Sequence, residues 1–360
     1  MISKQEHVYL YEDINENEAR LLRVFGAYPQ VQIPEEIDGK CITVIGAYCF
    51  AENSRLTKEQ EQECAEYLAA QGIADEVRPL AGKYMVSISL PDTIKCLESY
   101  AFYNCSELEQ ISVGPQLMEV NGDSFMNCRK LRKLVMRCGM EQTTGLPFIL
   151  NQITSEIEVS FIKPEMLEEK LNQDEITKTT LDKPAYVQLR LVYPEYTESY
   201  EEIGPAHIFR LQVEGQGFRA RKQFQNGVVD LNGYDQVFEM ARSLESVATL
   251  SQMALDRLVY PVDLKEEYRI QYEEYLSENE DQLMKLLVKE QEMEPLQFVC
   301  ESGFVSNRAM EQAIQQASMQ GWTKGSAAMI RWKNAARKVE SFQQAGADKL
   351  SKEIDDEYVF

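Results

Sequence analysis

The sequence predicts an α+β chain in three parts: a short solenoid of strand-bearing repeats, a small antiparallel β region, and a C-terminal stack of helical hairpins. Three observations predict it. Ile88, Leu90, Ile94, Leu97, Phe102, Cys105 and Leu108 reappear as Ile111, Val113, Leu117, Val120, Phe125, Cys128 and Leu131, every pair offset by 23 residues. A fixed period of that length marks turns that bury their apolar side only against the next turn. Beyond Pro184, short alternating apolar runs bounded by turn residues read as strands. From Leu244 the apolar spacing becomes helical, with caps and breakers at short intervals.

The N-terminal part, 1–140, opens with two strand-like runs, 7–11 and 19–25, expected to form a hairpin over the open end of the stack. Between them, Asp13-Ile14-Asn15-Glu16-Asn17 matches the opening of a calcium loop. Glu18 stands where that loop needs glycine and Val24 where it needs glutamate, so the segment reads as a polar turn. A weaker repeat follows. Ile33-Pro34, Ile37, Ile45, Tyr48, Phe50 and Leu56 match Leu90-Pro91, Ile94, Leu97, Tyr100, Phe102 and Leu108, with five extra residues around Asp38-Gly39. A helical insertion, 54–83, comes next. Thr57 and Gln60 make a capping box, Gly72 ends the helix, and Cys64, Tyr67 and Leu68 form its apolar stripe.

In the clear repeats, Ile88 and Leu90 alternate around Ser89 as in a strand, and Pro91, lacking an N–H, ends the ladder. Stacking the turns sets Phe102 over Phe125 and Cys105 over Cys128, about one strand spacing (~4.8 Å) apart. Disulfide geometry tolerates that distance, but stacked reduced thiols in a core are the expected state.

The phrases IPEEIDGKCITVIGAYCFAENSRL and LPDTIKCLESYAFYNCSEL resemble the BspA-like class of leucine-rich repeats: a strand, then I/L-P, then a spaced "I..IG..AF..C..L". The resemblance covers residues 31–136, about a third of the chain. It implies a recognition scaffold. The best-known members are surface adhesins. Here the N-terminus, MISKQEHVYLYEDINENE, carries charges where a signal peptide needs its apolar core, so the adhesin role is not transferred.

In 141–243 the strand candidates are 156–162, 186–193, and a hairpin of 207–213 with 218–224 around Glu214-Gly215-Gln216-Gly217. His207, Phe209, Leu211 and Val213 then share the packed face with Phe218, Ala220 and Phe224, and Arg210, Arg219 and Arg221 share the solvated one. In 244–342 helices are expected at 244–259, 264–277, 279–290, 293–302, 307–320 and 324–340. Pro261 stops the first and Pro295 suits the first turn of the fourth. Gly303 and Gly321 stand as C-caps, and Ser306 and Thr323 or Ser326 as N-caps. Leu283, Leu286 and Leu287 correspond to Met310, Ala313 and Ile314 at an offset of 27. This resembles ankyrin-type helix pairs over 279–340, without the usual T-P-L-H start. The tail, 343–360, is expected to fray.

Net charge is −22 and the pI about 4.7. Such a chain repels nucleic acid and anionic membrane, and no apolar run approaches the ~20 residues of a membrane helix. The eight cysteines contain no CxxC pair, which predicts reduced thiols in a cytoplasm. His7 and His207 are the only histidines and neither has a nearby cysteine, so no metal site is expected. Gly215-Gln216-Gly217 is a bare GxG that opens no phosphate-binding helix, and P-loop and GxSxG motifs are absent. No catalytic residue and no cofactor is assigned.

The candidate partner-binding surface is basic and aromatic: Arg210, Arg219 and Arg221, with Trp322, Lys324, Arg331, Trp332 and Lys333. In the last helix Arg337 and Lys338 extend this set, and Glu340 opposes it. The expected function is a non-enzymatic scaffold whose partner is another protein. The alternative is a hydrolase with its site in the β region between the two repeat segments.

Overall fold

A computed structural model describes residues 1–4, 6–163, 187–203 and 208–335. The expectations for His207, Arg337, Lys338, Glu340 and the tail lie outside the described residues. The chain forms two compact units: Met1–Glu245 with Tyr260–Leu264, and Ser246–Val259 with the chain from Lys265 onward.

The first unit begins with three antiparallel strands, β1 (Ile2–Lys4), β2 (Val8–Asp13) and β3 (Glu18–Gly26). Asn15 closes the β2–β3 turn: its Oδ1 accepts the N–H groups of Asn17 and Glu18, each at 2.9 Å. The first repeat supplies β4 (Gln30–Gln32), β5 (Glu36–Ile37) and β6 (Lys40–Ile45). The five extra residues are a tight hairpin. Asp38 and Gly39, both left-handed (φ 53 and 78), join β5 to β6, as two-residue hairpin loops require. Strand β3 pairs in parallel with β6, so the N-terminal hairpin extends the repeat sheet.

Helix α1 (Lys58–Ala70) is the insertion, and both halves of its Thr57–Gln60 capping box are formed. Its Cys64 and Leu68 bury against Val8, Leu10 and Phe25 of the N-terminal hairpin. A short strand, β7 (Arg78–Pro79), then pairs with the end of β3.

The repeats contribute β8 (Ser87–Ser89), β9 (Cys96–Leu97), β10 (Gln110–Val113), β11 (Glu119–Val120), β12 (Lys133–Met136) and β13 (Ile157–Ile162). They fall into two sheets. One runs β1-β2-β3-β6-β9-β11, with β5 on β6 and β7 on β3. The other runs β13-β12-β10-β8-β4, all parallel, and β14 (Val187–Tyr193) closes it antiparallel to β13. Ile88, Ile111 and Leu134 stand side by side, so the 23-residue period is the register of the sheet.

The same step recurs in the turns. The Phe50 N–H donates to the Ala101 carbonyl (2.8 Å) and the Phe102 N–H to that of Ser124 (2.9 Å). Phe50, Phe102 and Phe125 stack with centroids 5.0 and 5.3 Å apart. Cys105 and Cys128 are free, buried thiols that donate to the carbonyls of Phe50 (3.1 Å) and Phe102 (3.2 Å). The ladder stops at α2 (Leu146–Leu150). There the Gln152 side chain accepts the Phe125 N–H (3.3 Å) and donates to the Asn121 carbonyl (3.0 Å).

The next segment departs from expectation. Strand β16 (Ile208–Glu214) pairs backward with β15 (Thr197–Ile203), not forward across Gly215, and α3 (Gly217–Ala220) replaces the expected partner strand. The TESYEEI run of β15 lacks an apolar alternation, which hides it in the sequence. Gly217 fixes the path of the following chain: a Cβ there would lie 1.9 Å from the Pro194 carbonyl oxygen. A small hairpin, β17 (Phe224–Gln225) with β18 (Val228–Val229), turns on Asn226-Gly227, both left-handed. The expected β region also holds a helix, α4 (Leu231–Ala241), whose first turn is capped by Asp230 Oδ1 accepting from the Gly233 N–H (3.0 Å). Its Tyr234 hydroxyl donates to the Val192 carbonyl (2.6 Å) and accepts the Val192 N–H (3.0 Å), which ties it to β14.

The second unit is helical: α5 (Val247–Val259), α6 (Glu266–Glu278), α7 (Glu280–Glu290), α8 (Met293–Ser302), α9 (Asn307–Met319) and α10, residues 323–335. These follow the expected spans closely. Ser306 caps α9, and Gly303 and Gly321 take left-handed C-terminal positions (φ 74 at both). Helix α5 packs on α6, α7 and α8, and α7 on α9. Leu283, Leu286, Leu287, Met310 and Ala313 are all buried.

Candidate functional site

One position in each repeat, two residues before the core phenylalanine, is left-handed: Tyr48 (φ 59), Tyr100 (φ 63) and Asp123 (φ 58). Asn, Asp and Gly suit that conformation, and a bulky side chain there is an outlier. The conformation costs an ordinary L residue about 1–2 kcal/mol. Two tyrosines occupy it nonetheless, and neither ring enters the buried core.

The tyrosines build a surface. Tyr48 stacks on Tyr100 with centroids 5.0 Å apart and planes 17° from parallel. Tyr103 sets its ring nearly perpendicular to both, at 5.7 Å from Tyr100 and 6.3 Å from Tyr48. The Arg55 guanidinium lies 5.0 Å over the Tyr48 ring, within cation–π range. Arg55 has no carboxylate partner among the described residues. A hydrogen bond to Asp123, and then its negative charge, push the Tyr100 hydroxyl pKa up. Asn53, Ser54 and Met126 complete an open groove of about 570 Å³. Ligand pockets span ~300–1,000 Å³ but are usually more enclosed. This shape suits a chain laid across it.

Spacing along the chain does not show the groove, because Arg55 lies at the start of the insertion and Tyr100 in the repeat beyond it. The available signal was the recurrence of tyrosine at a surface position of the repeat. A second missed residue is Arg137. Its guanidinium spans three turns, donating to Ser89 Oγ (3.2 Å), Ser112 Oγ (2.5 Å) and Asp92 Oδ1 (3.0 and 2.7 Å). Ser89 and Ser112 are the same repeat position, 23 residues apart.

The residues singled out from sequence fall differently. Arg210 is exposed on β16 opposite Glu201, and Arg219 is exposed on α3. Arg221 is not on a solvated face: it is 1% exposed. Its guanidinium donates to the carbonyls of Pro194 (2.6 Å), Ser155 (2.7 Å), Gly217 (3.0 Å) and Leu150 (3.2 Å), over the Tyr196 ring at 5.0 Å. Carbonyl dipoles replace the water it loses, and burial brings its pKa down to about 10.

In the second unit Trp322 is also buried, 7% exposed, against Gly325, where a Cβ would lie 2.3 Å from the indole. Trp332 is half-buried, Lys333 pairs with Glu311, and Lys324 and Arg331 are exposed. His7 is buried, which lowers its pKa. Among the described residues no group of three His, Cys, Asp or Glu could hold a metal ion, and no helix is long and apolar enough to cross a membrane.

With this geometry in view, residues 80–180 match the family model described as "BspA type Leucine rich repeat region (6 copies)". That stretch is a BspA-type leucine-rich-repeat region. Three solved structures are similar over part of the chain. The leucine-rich-repeat protein of T. pallidum, TpLRR, is 18% identical over 36% of this chain and 50% of its own, with a TM-score of 0.26. A leucine-rich cell surface protein of Faecalibacterium prausnitzii A2-165 is 15% identical over 38% of this chain and 36% of its own (TM-score 0.23). The pneumococcal vaccine antigen PcpA is 14% identical over 38% and 41% (TM-score 0.15). This chain thus spans half or less of each. No curated protein matches it.

Proposed function

We propose that the chain is a non-enzymatic, protein-binding scaffold, that its repeats form a short solenoid, and that the tyrosine groove is the contact surface. One observation carries this reading. Tyr48 and Tyr100 occupy a strained backbone position that Asn would fill at lower cost, and their rings serve a surface rather than the core. Tyrosine and arginine are enriched among residues that dominate binding energy, and tyrosine adds rigid contact area at low entropic cost. On a chain of net charge −22, Arg55, which meets the Tyr48 ring and no carboxylate among the described residues, favours a partner segment with a carboxylate at that end.

The helical unit reads as a second, ankyrin-like stack, a reading supported by the burial of Leu283, Leu286 and Leu287 and of Met310 and Ala313. The compartment that belongs to this reading is a reducing one, the cytoplasm, where buried thiols such as Cys105 and Cys128 stay reduced.

The test is photo-crosslinking. The full chain with p-benzoylphenylalanine at position 103 is irradiated in native extract, beside the same chain carrying Tyr48→Asn and Tyr100→Asn. A discrete crosslinked protein is expected from the first and not from the second, with the melting temperature unchanged or raised. Equal capture by both sinks the reading.

A further inference from the structure

The β15–β16 hairpin carries a surface independent of the tyrosine groove. Every described side chain on its two strands is exposed except Val213, which is half-buried. Residues directly opposite in an antiparallel pair share a face. Tyr200 opposite Leu211, Glu202 opposite Phe209 and Glu198 opposite Val213 therefore lie on one side. Tyr200, Phe209 and Leu211 are 71, 63 and 43% exposed and form one apolar stripe. A lone two-stranded ribbon is marginal in water, and a strand edge is a template for another strand. Among the described residues the hairpin pairs with no other strand and neither outer edge is covered by one.

The two edges are not equivalent. Two copies of β15 paired antiparallel about Tyr200 would set Glu198 against Glu202 twice. Like charges directly opposite are destabilising. Two copies of β16 paired about Leu211 set Phe209 against Val213 twice, Arg210 against Gln212 twice, Ile208 against Glu214 twice, and Leu211 against itself. No pair joins like charges, and the apolar residues meet across the seam.

We propose that two copies of this chain associate through antiparallel pairing of their β16 edges, with a two-fold axis at Leu211, into a four-stranded sheet. The interface is isologous, as two-fold symmetry demands. Its apolar stripe runs Tyr200, Leu211, Leu211, Tyr200. The occupant is a second copy rather than a foreign strand because this two-fold register sets Phe209 on Val213 and Leu211 on Leu211 and brings no like charges together. The edge is also locally balanced: β16 carries Arg210 and Glu214, whereas β15 carries Glu198, Glu201 and Glu202. Each copy has net charge −22, so added salt, by screening repulsion, strengthens the association.

The test uses the full chain in sedimentation velocity, with wild type, Leu211→Glu and Leu211→Cys. Wild type is expected to move from the 41.4 kDa monomer toward twice that mass with concentration. Leu211→Glu, placing two carboxylates on the axis, is expected to stay monomeric with an unchanged far-ultraviolet circular dichroism spectrum. Leu211→Cys is expected to crosslink to itself under mild oxidation, since opposed Cβ atoms lie ~4.5–5.5 Å apart, whereas Tyr200→Cys and the wild-type cysteines do not crosslink. A wild type monomeric up to its solubility limit overturns the proposal. So does a dimer that survives Leu211→Glu, or a Leu211→Cys chain that fails to self-crosslink.

Discussion

Arg221 shows how far a side chain's role depends on what surrounds it. By alternation it belongs on a wet face with Arg219; in the fold it organises four main-chain carbonyls. Truncating it would take away the side-chain donor of the Pro194 and Ser155 carbonyls and one of two donors to those of Leu150 and Gly217. Arg221→Ala is expected to cost at least about 3 kcal/mol and Arg219→Ala less than about 0.5 kcal/mol, measured by urea unfolding. At Tyr100, Tyr100→Asn relieves the left-handed backbone and is expected to raise stability by up to about 1 kcal/mol in the same assay. Cys138 gives a pH dependence. Burial pushes its thiol pKa from 9.0 up to about 12. The folded state keeps that thiol protonated where the unfolded chain has ionised it. Its contribution is thus fully present below pH 9 and lost as pH rises toward 12. Cys138→Ala is expected to flatten that alkaline fall. The pattern made Cys105, Cys128 and the phenylalanine stack legible. It could not show Arg221, because nothing local distinguishes a buried arginine from an exposed one.

At the scale of elements, Gln152 ends the inter-turn ladder by doing with a side chain what Ser124 does with a carbonyl for Phe102. Gln152→Ala is expected to cost about 1–2 kcal/mol and to speed hydrogen exchange at the Phe125 amide. A stability loss without faster exchange at Phe125 would deny Gln152 that capping role. The elements most legible from sequence were those with their own caps or period: α1 with its Thr57–Gln60 box, the repeat strands, and α7 to α9. Helix α4 and strand β15 were missed for opposite reasons. Helix α4 follows the strand signals of 218–224 directly, and its Asp230 cap looks like an ordinary turn residue. Strand β15 carries Tyr200 among Thr197, Glu198, Ser199, Glu201 and Glu202, so no apolar alternation marks it.

For the whole molecule, both tryptophans, Trp322 and Trp332, lie in the helical unit, whereas Arg221 lies in the other. Indole fluorescence therefore reports the helical unit alone. If each unit's core unfolds by itself, Arg221→Ala shifts the urea transition seen by circular dichroism and leaves the fluorescence transition in place. A fluorescence midpoint that moves equally would show one cooperative unit. The repeat, its register, the insertion helix and the helical spans can all be read from the chain, because each follows from a local rule: a side chain is buried at fixed spacing, or a cap satisfies its own turn. Which strand β16 pairs with, the burial of Arg221, and the meeting of Tyr48, Tyr100, Tyr103 and Arg55 in one groove emerge only in the folded chain. Those outcomes depend on competition between distant parts of the chain for the same edges, carbonyls and buried volume, and spacing along the sequence carries no measure of that competition.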